Sequence, residues 1–207
     1  LKRLNIEVLR PDINECYADF KTENEKFFYA LGGIKAVGLE AISNIVNERV
    51  ENGKFLSIND FIKRVHPKDI NKLQLEGLVK AGAFDKLNDN RQSLFTSIPN
   101  YLLPSNYNFN TFDKLNDNRQ SLFDSIPNLI LKSKNDFDNK IVNQKDLFGD
   151  NHEDETNIVK DIKDWEFEDK LSKEFEAVGF FISDHPLNQF KEIFSDYKIV
   201  DYKTFIS

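Results

Sequence analysis

A glycine-rich segment, Gly32 to Gly38, is the part of the sequence best suited to bind a phosphate group. It reads Gly-Gly-Ile-Lys-Ala-Val-Gly and leads directly into a predicted helix that begins at Leu39. Small residues let a phosphate approach backbone amides closely, and the positive end of the following helix attracts an anion. The residues predicted to contact a nucleic-acid backbone, without reading bases, are Gly33, Lys35, Ala36, Val37 and Gly38. An ordinary glycine turn between packed elements is the alternative.

A second candidate site is the hexapeptide QKDLFG, Gln144 to Gly149, which lies in an otherwise polar stretch. Two adjacent large apolar side chains in a polar linker are exposed unless a partner covers them, so the pattern indicates a short peptide-docking motif. Burial of each would contribute roughly 1.5 to 3 kcal/mol, less the cost of ordering the linker. The predicted contact residues are Gln144, Asp146, Leu147 and Phe148. A chance apolar pair, or a docking point on the parent fold, is the alternative.

Residues for catalysis or metal binding are scattered. The three histidines, His66, His152 and His185, have no ligand spacing, and the Asp136–Asp138 pair lies in polar sequence without a fixed scaffold. Ser183 or Asp184 is expected to cap a helix that starts at Pro186. We therefore predict no catalytic residue, no metal site and no cofactor in this segment.

The single cysteine and the charge distribution limit the class of protein. Cys16 has no partner for a disulfide and is predicted to be an inert thiol, which fits a cytoplasmic protein. No signal peptide or long apolar run indicates a membrane. The net charge is −7, yet the first 100 residues hold 15 Lys+Arg against 14 Asp+Glu. A nearly neutral front part that contacts phosphates is compatible with this split.

Periodicity predicts a mainly α-helical fold. Residues 17–31 are typical of a small β-hairpin, and apolar positions then recur at helical spacing from Leu39 to Val50 and stop before Asn52-Gly53. A second helix follows Ser57, which forms a predicted capping box with Asp60. A third helix is expected to open at Asp69, and further helical patterns follow Trp165.

A direct repeat interrupts this pattern. Residues 84–100 and 112–128 differ at one of 17 positions, with a period of 28. Structural repeats normally diverge further and need about three copies to share a core. We therefore interpret the repeat as a recent duplication whose extra copy lies outside the packed fold as a frayed helix and loop.

These patterns divide the chain into four parts. They are residues 1–30 with the β-hairpin, 31–100 as a domain of short helices with tight glycine turns, 101–164 as the duplicated insert and a mobile linker, and 165–207 as a helical element. The sequence contains no Met and starts at Leu1, so we expect an excerpt of a longer chain or a broken gene product.

Three parts of the chain, namely its front part, QKDLFG and FEAVGFFISDHPLNQF, resemble in this order the alpha subunit of bacterial DNA polymerase III, and the resemblance implies that residues 31–100 are a helix-hairpin-helix domain. VLRPDIN, GGIKAVG and KLQLEGLVKAGAFD resemble that family's segment from the end of the fingers into its tandem helix-hairpin-helix domain. QKDLFG is similar to the family's internal clamp-binding motif, and FEAVGFFISDHPLNQF resembles the element that leads toward its OB-fold domain. The chain departs from the family at Ala36, where Gly is usual, and at Arg10, where a second Pro is usual.

The resemblance implies a non-catalytic segment of a DNA-directed DNA polymerase. Its implied partners are the double-stranded DNA backbone, the β sliding clamp and other subunits of the replicative holoenzyme, and no membrane. The palm aspartates of the family, which would hold Mg²⁺ in the parent, have no counterpart here. A helix-hairpin-helix DNA-repair enzyme and a generic helical interaction domain are the alternatives.

Overall fold

The structure is a computed structural model that describes residues 6–87, 118–142 and 162–200, together with Phe205. This part is mainly helical, with one small sheet at its amino-terminal end, which confirms the predicted fold class. The α-helices are α1 (Leu39–Asn52), α2 (Ile58–Arg64), α3 (Lys72–Lys80), α4 (Arg119–Val142), α5 (Phe167–Val178) and α6 (Lys191–Asp196). Short 3-10 turns span Leu31–Gly33, Pro67–Asp69 and Pro186–Phe190.

The sheet has three short strands in the order β1-β3-β2. Strand β1 (Glu7–Leu9) runs parallel to β3 (Lys26–Phe28), and β2 (Lys21–Glu23) runs antiparallel to it. Asn24 and Glu25 join β2 to β3 with φ values of 49° and 61°, the left-handed conformation that tight two-residue hairpins require. The predicted β-hairpin is thereby confirmed.

Side-chain caps determine where two of the helices begin. The Ser57 side chain accepts from the Asp60 amide at the start of α2, 3.1 Å away. Asn71 and Gln74 form a reciprocal capping box at the start of α3. For this reason α3 begins at Lys72, whereas we had predicted a start at Asp69; residues Pro67–Asp69 form a separate 3-10 turn.

The core is one apolar cluster shared by α1 to α4. Phe55, Phe61 and Phe84 stack edge to face, with ring centroids 5.1 and 5.2 Å apart. Leu75 and Leu78 of α3 are buried beside them. Edge-to-face pairs of this kind add to the free energy gained from burial, so the three rings stabilise the centre of the fold.

Both copies of the repeat contribute to this core. Phe84 and Leu87 come from the first copy, whereas Leu122 and Ile126 come from the second, and all four are buried. The Arg119 guanidinium joins the two copies through the Asp85 carboxylate, with Nη2 and Oδ2 2.7 Å apart. We had expected the extra copy to lie outside the packed fold. The structure shows instead that part of the second copy is packed in the core. The residues between these contributions, 88–117, lie outside the described residues.

Helix α4 continues through residues 132–142, which we had assigned to the linker. Its buried positions Leu129 and Ser133 are followed at the same spacing by Phe137, whose ring lies 4.3 Å from that of His66. This four-residue spacing places one narrow stripe against α2 and α3. The polar composition of the stretch hides the stripe, because its other faces are exposed.

The turn after α5 is organised by the buried Glu174 carboxylate. It accepts hydrogen bonds from the amides of Ile182 and Ser183, and it lies 3.4 Å from the Arg119 guanidinium. The 3-10 turn at Pro186 is capped by His185, whose Nδ1 accepts from the Leu187 amide. Our expectation that Ser183 or Asp184 caps this turn was wrong, since Ser183 is engaged by Glu174.

Candidate nucleic-acid interface

The hairpin before α1 is a tight turn from Ile34 to Val37. The Val37 amide donates to the Ile34 carbonyl oxygen at 3.1 Å, and Ala36, the third residue of the turn, has a φ of 65°. Turns with positive φ at this position favour glycine, because a Cβ crowds the backbone there. The backbone of Ala36 is therefore strained by about 1 to 2 kcal/mol.

Some of the predicted phosphate-binding amides are already used within the chain. Gly33 donates to the Ala30 carbonyl at 3.0 Å, Lys35 donates to the Ala177 carbonyl at 2.8 Å, and Val37 closes the turn. The Val37 side chain is also buried. Among the described residues, no acceptor lies within hydrogen-bonding distance of the amides of Ala36 and Gly38. Of the five predicted residues, these two offer backbone donors to an external anion.

The amino terminus of α1 continues this open surface. Gly38 is its N-cap and supplies no side-chain acceptor, so the first-turn amides have no side-chain cap. The amino termini of α2 and α3 differ, because Ser57 and Asn71 cap them. Within α1 to α3, the positive end of α1 alone is open to an anion.

Gly77 of α3 supports the hairpin from behind. A Cβ at this position would lie 2.8 Å from the Lys35 carbonyl oxygen and 3.2 Å from Cγ2 of Val37. Both distances are shorter than ordinary van der Waals contacts, so only glycine lets α3 approach the turn this closely. We did not predict this role, although a glycine in the middle of an otherwise regular helix is a signal for close packing.

The carboxyl end of α5 holds the hairpin from the other side. Ala177, which accepts from Lys35, is buried in the core. The neighbouring Glu176 pairs with Lys80 of α3 at 2.8 Å, and this hydrogen bond lowers the pKa of Glu176 below its usual range. The two contacts fix α5 to α3 and to the turn at the same point.

Charged side chains around the open amides have mixed sign. Lys35 is exposed on the turn, whereas Glu40 is exposed in the first turn of α1 and opposes an incoming phosphate. Arg64, a basic residue at the end of α2, is structural: it donates to Glu48, Asp60 and the Gly53 carbonyl. The interface therefore depends more on backbone amides than on a basic patch.

The predicted docking motif cannot be placed. Gln144, Asp146, Leu147 and Phe148 lie outside the described residues, in the segment between the end of α4 and Ile162. Ile162 is held at the start of α4, where its carbonyl accepts from the Ser121 hydroxyl at 3.0 Å. The segment that carries the motif is thus attached at both ends to the helical domain.

Other potentially reactive groups among the described residues show no sign of a reactive site. Burial raises the pKa of the Cys16 thiol to about 11, which keeps it protonated at neutral pH. In residues 6–87, 118–142 and 162–200, no group of three or more His, Cys, Asp or Glu side chains is arranged to hold a metal ion. The helices of the same ranges include none with the length and apolarity of a membrane span.

Comparison with known proteins agrees with this geometry. Residues 5–94 match the family described as the helix-hairpin-helix motif, and the match includes the hairpin and α1 to α3. The hairpin, the open α1 terminus and this match assign residues 5–94 to the helix-hairpin-helix motif. Open amides at a helix amino terminus form an anion-binding site in general.

Full-length relatives identify the larger protein. The chain is 31% identical to the DNA polymerase III subunit alpha of Borreliella burgdorferi over 98% of its own length, and 32% identical to that of Caulobacter vibrioides over 90%. Identity with the Chlamydia trachomatis subunit is 43% over 42% of the chain. The chain is a partial segment of a DNA polymerase III alpha subunit. It spans 16%, 14% and 7% of these three relatives.

Proposed function

We propose that this segment binds the backbone of double-stranded DNA without sequence preference and tethers its polymerase to the sliding clamp during replication. Other holoenzyme subunits would share the assembly, in the cytoplasm where bacterial DNA is found. The observation that carries the DNA part is the uncapped amino terminus of α1 directly after the turn with the open amides of Ala36 and Gly38.

Backbone amides explain the lack of sequence preference. Phosphates are the same at every step of a duplex, whereas bases are read by side chains in the grooves. The exposed hairpin has Lys35 as its single cationic side chain and Glu40 beside it. We therefore expect weak affinity, because few charge-assisted contacts are available and part of their attraction is cancelled.

Fluorescence anisotropy with labelled duplexes of unrelated sequence tests the DNA proposal. Affinity is expected to be the same for each duplex and to fall as the salt concentration rises, with a shallow slope because Lys35 is the one cationic side chain on the hairpin. Lys35→Ala should weaken binding to every duplex by the same factor. Binding that selects one sequence, or that is insensitive to salt, would contradict contact through phosphates.

The clamp proposal rests on the composition of the segment between α4 and Ile162. Leu147 and Phe148 are an adjacent apolar pair that follows Gln144, and a tether bound to a ring around DNA converts dissociation into rapid local rebinding. A polymerase that holds DNA weakly gains processivity in this way. Gln144 would orient the peptide through its side-chain amide.

Titration of the chain against the β sliding clamp, by calorimetry, tests the tether. Leu147→Ala combined with Phe148→Ala should abolish clamp binding and leave both the thermal transition and the DNA affinity unchanged. Gln144→Ala should weaken clamp binding less than the double change does. A matched control is Ile158→Ala with Val159→Ala, an apolar pair in the same segment. Unchanged clamp affinity in the Leu147/Phe148 variant would refute the assignment.

A further inference from the structure

The two copies of the repeat carry almost the same side chains in the same order. Residues 90–100 of the first copy and 118–128 of the second differ only where Thr96 stands in place of Asp124. Asp124 is exposed on α4. Every buried residue that the second copy contributes therefore has an identical counterpart 28 positions earlier in the chain.

The second copy is bound by a defined surface, which we call the copy-binding surface: Lys80, Asp85, Ile162 and Glu174. Arg119 bonds the Asp85 carboxylate and the Lys80 carbonyl, the latter at 3.2 Å, and reaches Glu174. Ser121 exchanges two hydrogen bonds with the backbone of Ile162. The first copy repeats these donors and acceptors as Arg91 and Ser93.

Chain connectivity also allows residues 90–100 to reach the copy-binding surface. Asp85 and Leu87 are held in the fold, and residues 90–100 follow Leu87 after only two residues. Arg91 follows Asp85 by six residues. Arg119 would follow Asp85 by the same six residues if one 28-residue period were removed. Residues 101–161 then leave ample chain to return to Ile162, since an extended chain covers about 3.3 Å per residue.

We propose that residues 90–100 are an interchangeable occupant of the copy-binding surface and replace residues 118–128 when that copy is damaged. The second copy is favoured in the intact chain because Leu129 and Phe137 extend its packing along α2 and α3. A helix continued beyond the first copy would meet Pro104 at the position that Lys132 holds after the second copy, and proline disfavours the continuation of a helix. The duplication thus holds a spare core segment in reserve.

Ile126→Asp tests the exchange, because a charge at this fully buried position cannot be tolerated in place. In the full chain we expect a cooperative thermal transition to be retained, with Ile98 in the vacated position. In a chain that lacks residues 88–115, or that also carries Ile98→Asp, the transition should be lost. Leu78→Asp, equally buried on a helix without a second copy, should unfold both chains. Equal loss from Ile126→Asp with one copy or two would overturn the proposal.

A labelling experiment follows the exchange directly. Ser93→Cys places a thiol on the first copy, while Cys16 is fully buried and serves as an internal blank. The new thiol should react rapidly with a water-soluble reagent in the otherwise unchanged chain, and it should become protected when Ile126→Asp is added. Protection without Ile126→Asp, or rapid labelling with it, would overturn the exchange.

Discussion

The amide nitrogen of Lys35 lies 2.8 Å from the carbonyl oxygen of Ala177, and this hydrogen bond joins the hairpin to the carboxyl end of α5. The two residues belong to opposite ends of the chain. Gly77 of α3 also packs against Lys35, because it lacks the Cβ that would collide with the carbonyl oxygen of Lys35. The conformation of the proposed DNA-binding turn is therefore set by residues far from it in sequence.

Replacing Gly77 by Ala should weaken DNA binding. Alanine favours a helix interior by roughly 1 kcal/mol over glycine, but its Cβ would lie 2.8 Å from the Lys35 carbonyl oxygen. The turn must then shift, at a typical overpacking cost of about 1 to 3 kcal/mol. We expect a lower midpoint of thermal unfolding and a lower DNA affinity. Leu73→Ala, on the exposed face of α3, is the control. A more stable Gly77→Ala chain with unchanged affinity would show that the turn is not supported by this contact.

The Ala36→Gly change should stabilise the chain and leave DNA binding equal or tighter. Glycine adopts the φ of 65° without strain, so about 1 kcal/mol is regained, partly offset by the larger backbone entropy of glycine in the unfolded chain. The measurements are urea denaturation and anisotropy. Weaker DNA binding by this variant would mean that the methyl group itself contacts the duplex.

Glu40→Lys should tighten DNA binding. This side chain lies in the first turn of α1, beside the open amides, where a negative charge repels a phosphate and a positive charge attracts it. The slope of log affinity against log salt should steepen by roughly one. Glu51→Lys makes the same charge change at the opposite end of α1 and should have a smaller effect. Equal effects of the two changes would indicate a response to net charge alone.

Removal of residues 88–115 should leave the fold intact. Leu87 would then connect to Arg119 through three residues in place of 31, with the ion pair between Asp85 and Arg119 preserved. A shorter connection lowers the entropy cost of closure by up to about 2 kcal/mol, so the free energy of unfolding should be unchanged or higher. Circular dichroism during thermal unfolding measures this. A marked loss of stability would show that the removed residues support the core.

Local signals in the sequence predicted much of the helical domain. Helix α1 ends at Asn52 before Gly53, whose φ is 84°, and α2 begins after Ser57, as the stop and cap residues indicated. The hairpin before α1 was predicted from its small residues. These features depend on interactions within a few residues, which is why a single sequence reveals them.

Long-range contacts could not be predicted in the same way. Nothing local to Lys35 indicates that its amide is paired with Ala177, and so the number of amides open to DNA was overestimated. The extension of α4 was missed because its buried stripe, which includes Leu129 and Ser133, is narrow within a polar stretch. Arg119 of the second copy pairs with Asp85 of the first copy. Because both copies contain the same arginine, the sequence alone does not indicate which of the two pairs with Asp85.

The ion pair between Asp85 and Arg119 brings into contact two side chains that lie in sequence on either side of residues 88–117. Insertions are tolerated best where the two ends of the inserted segment are held close together, because the length of the segment between them then has little effect on the stability of the surrounding fold. Residues 88–115 can accordingly be exchanged for a fluorescent protein or an affinity tag. The 28-residue duplication is itself an insertion at this position. We therefore expect a reporter inserted here to leave the DNA-binding turn unchanged.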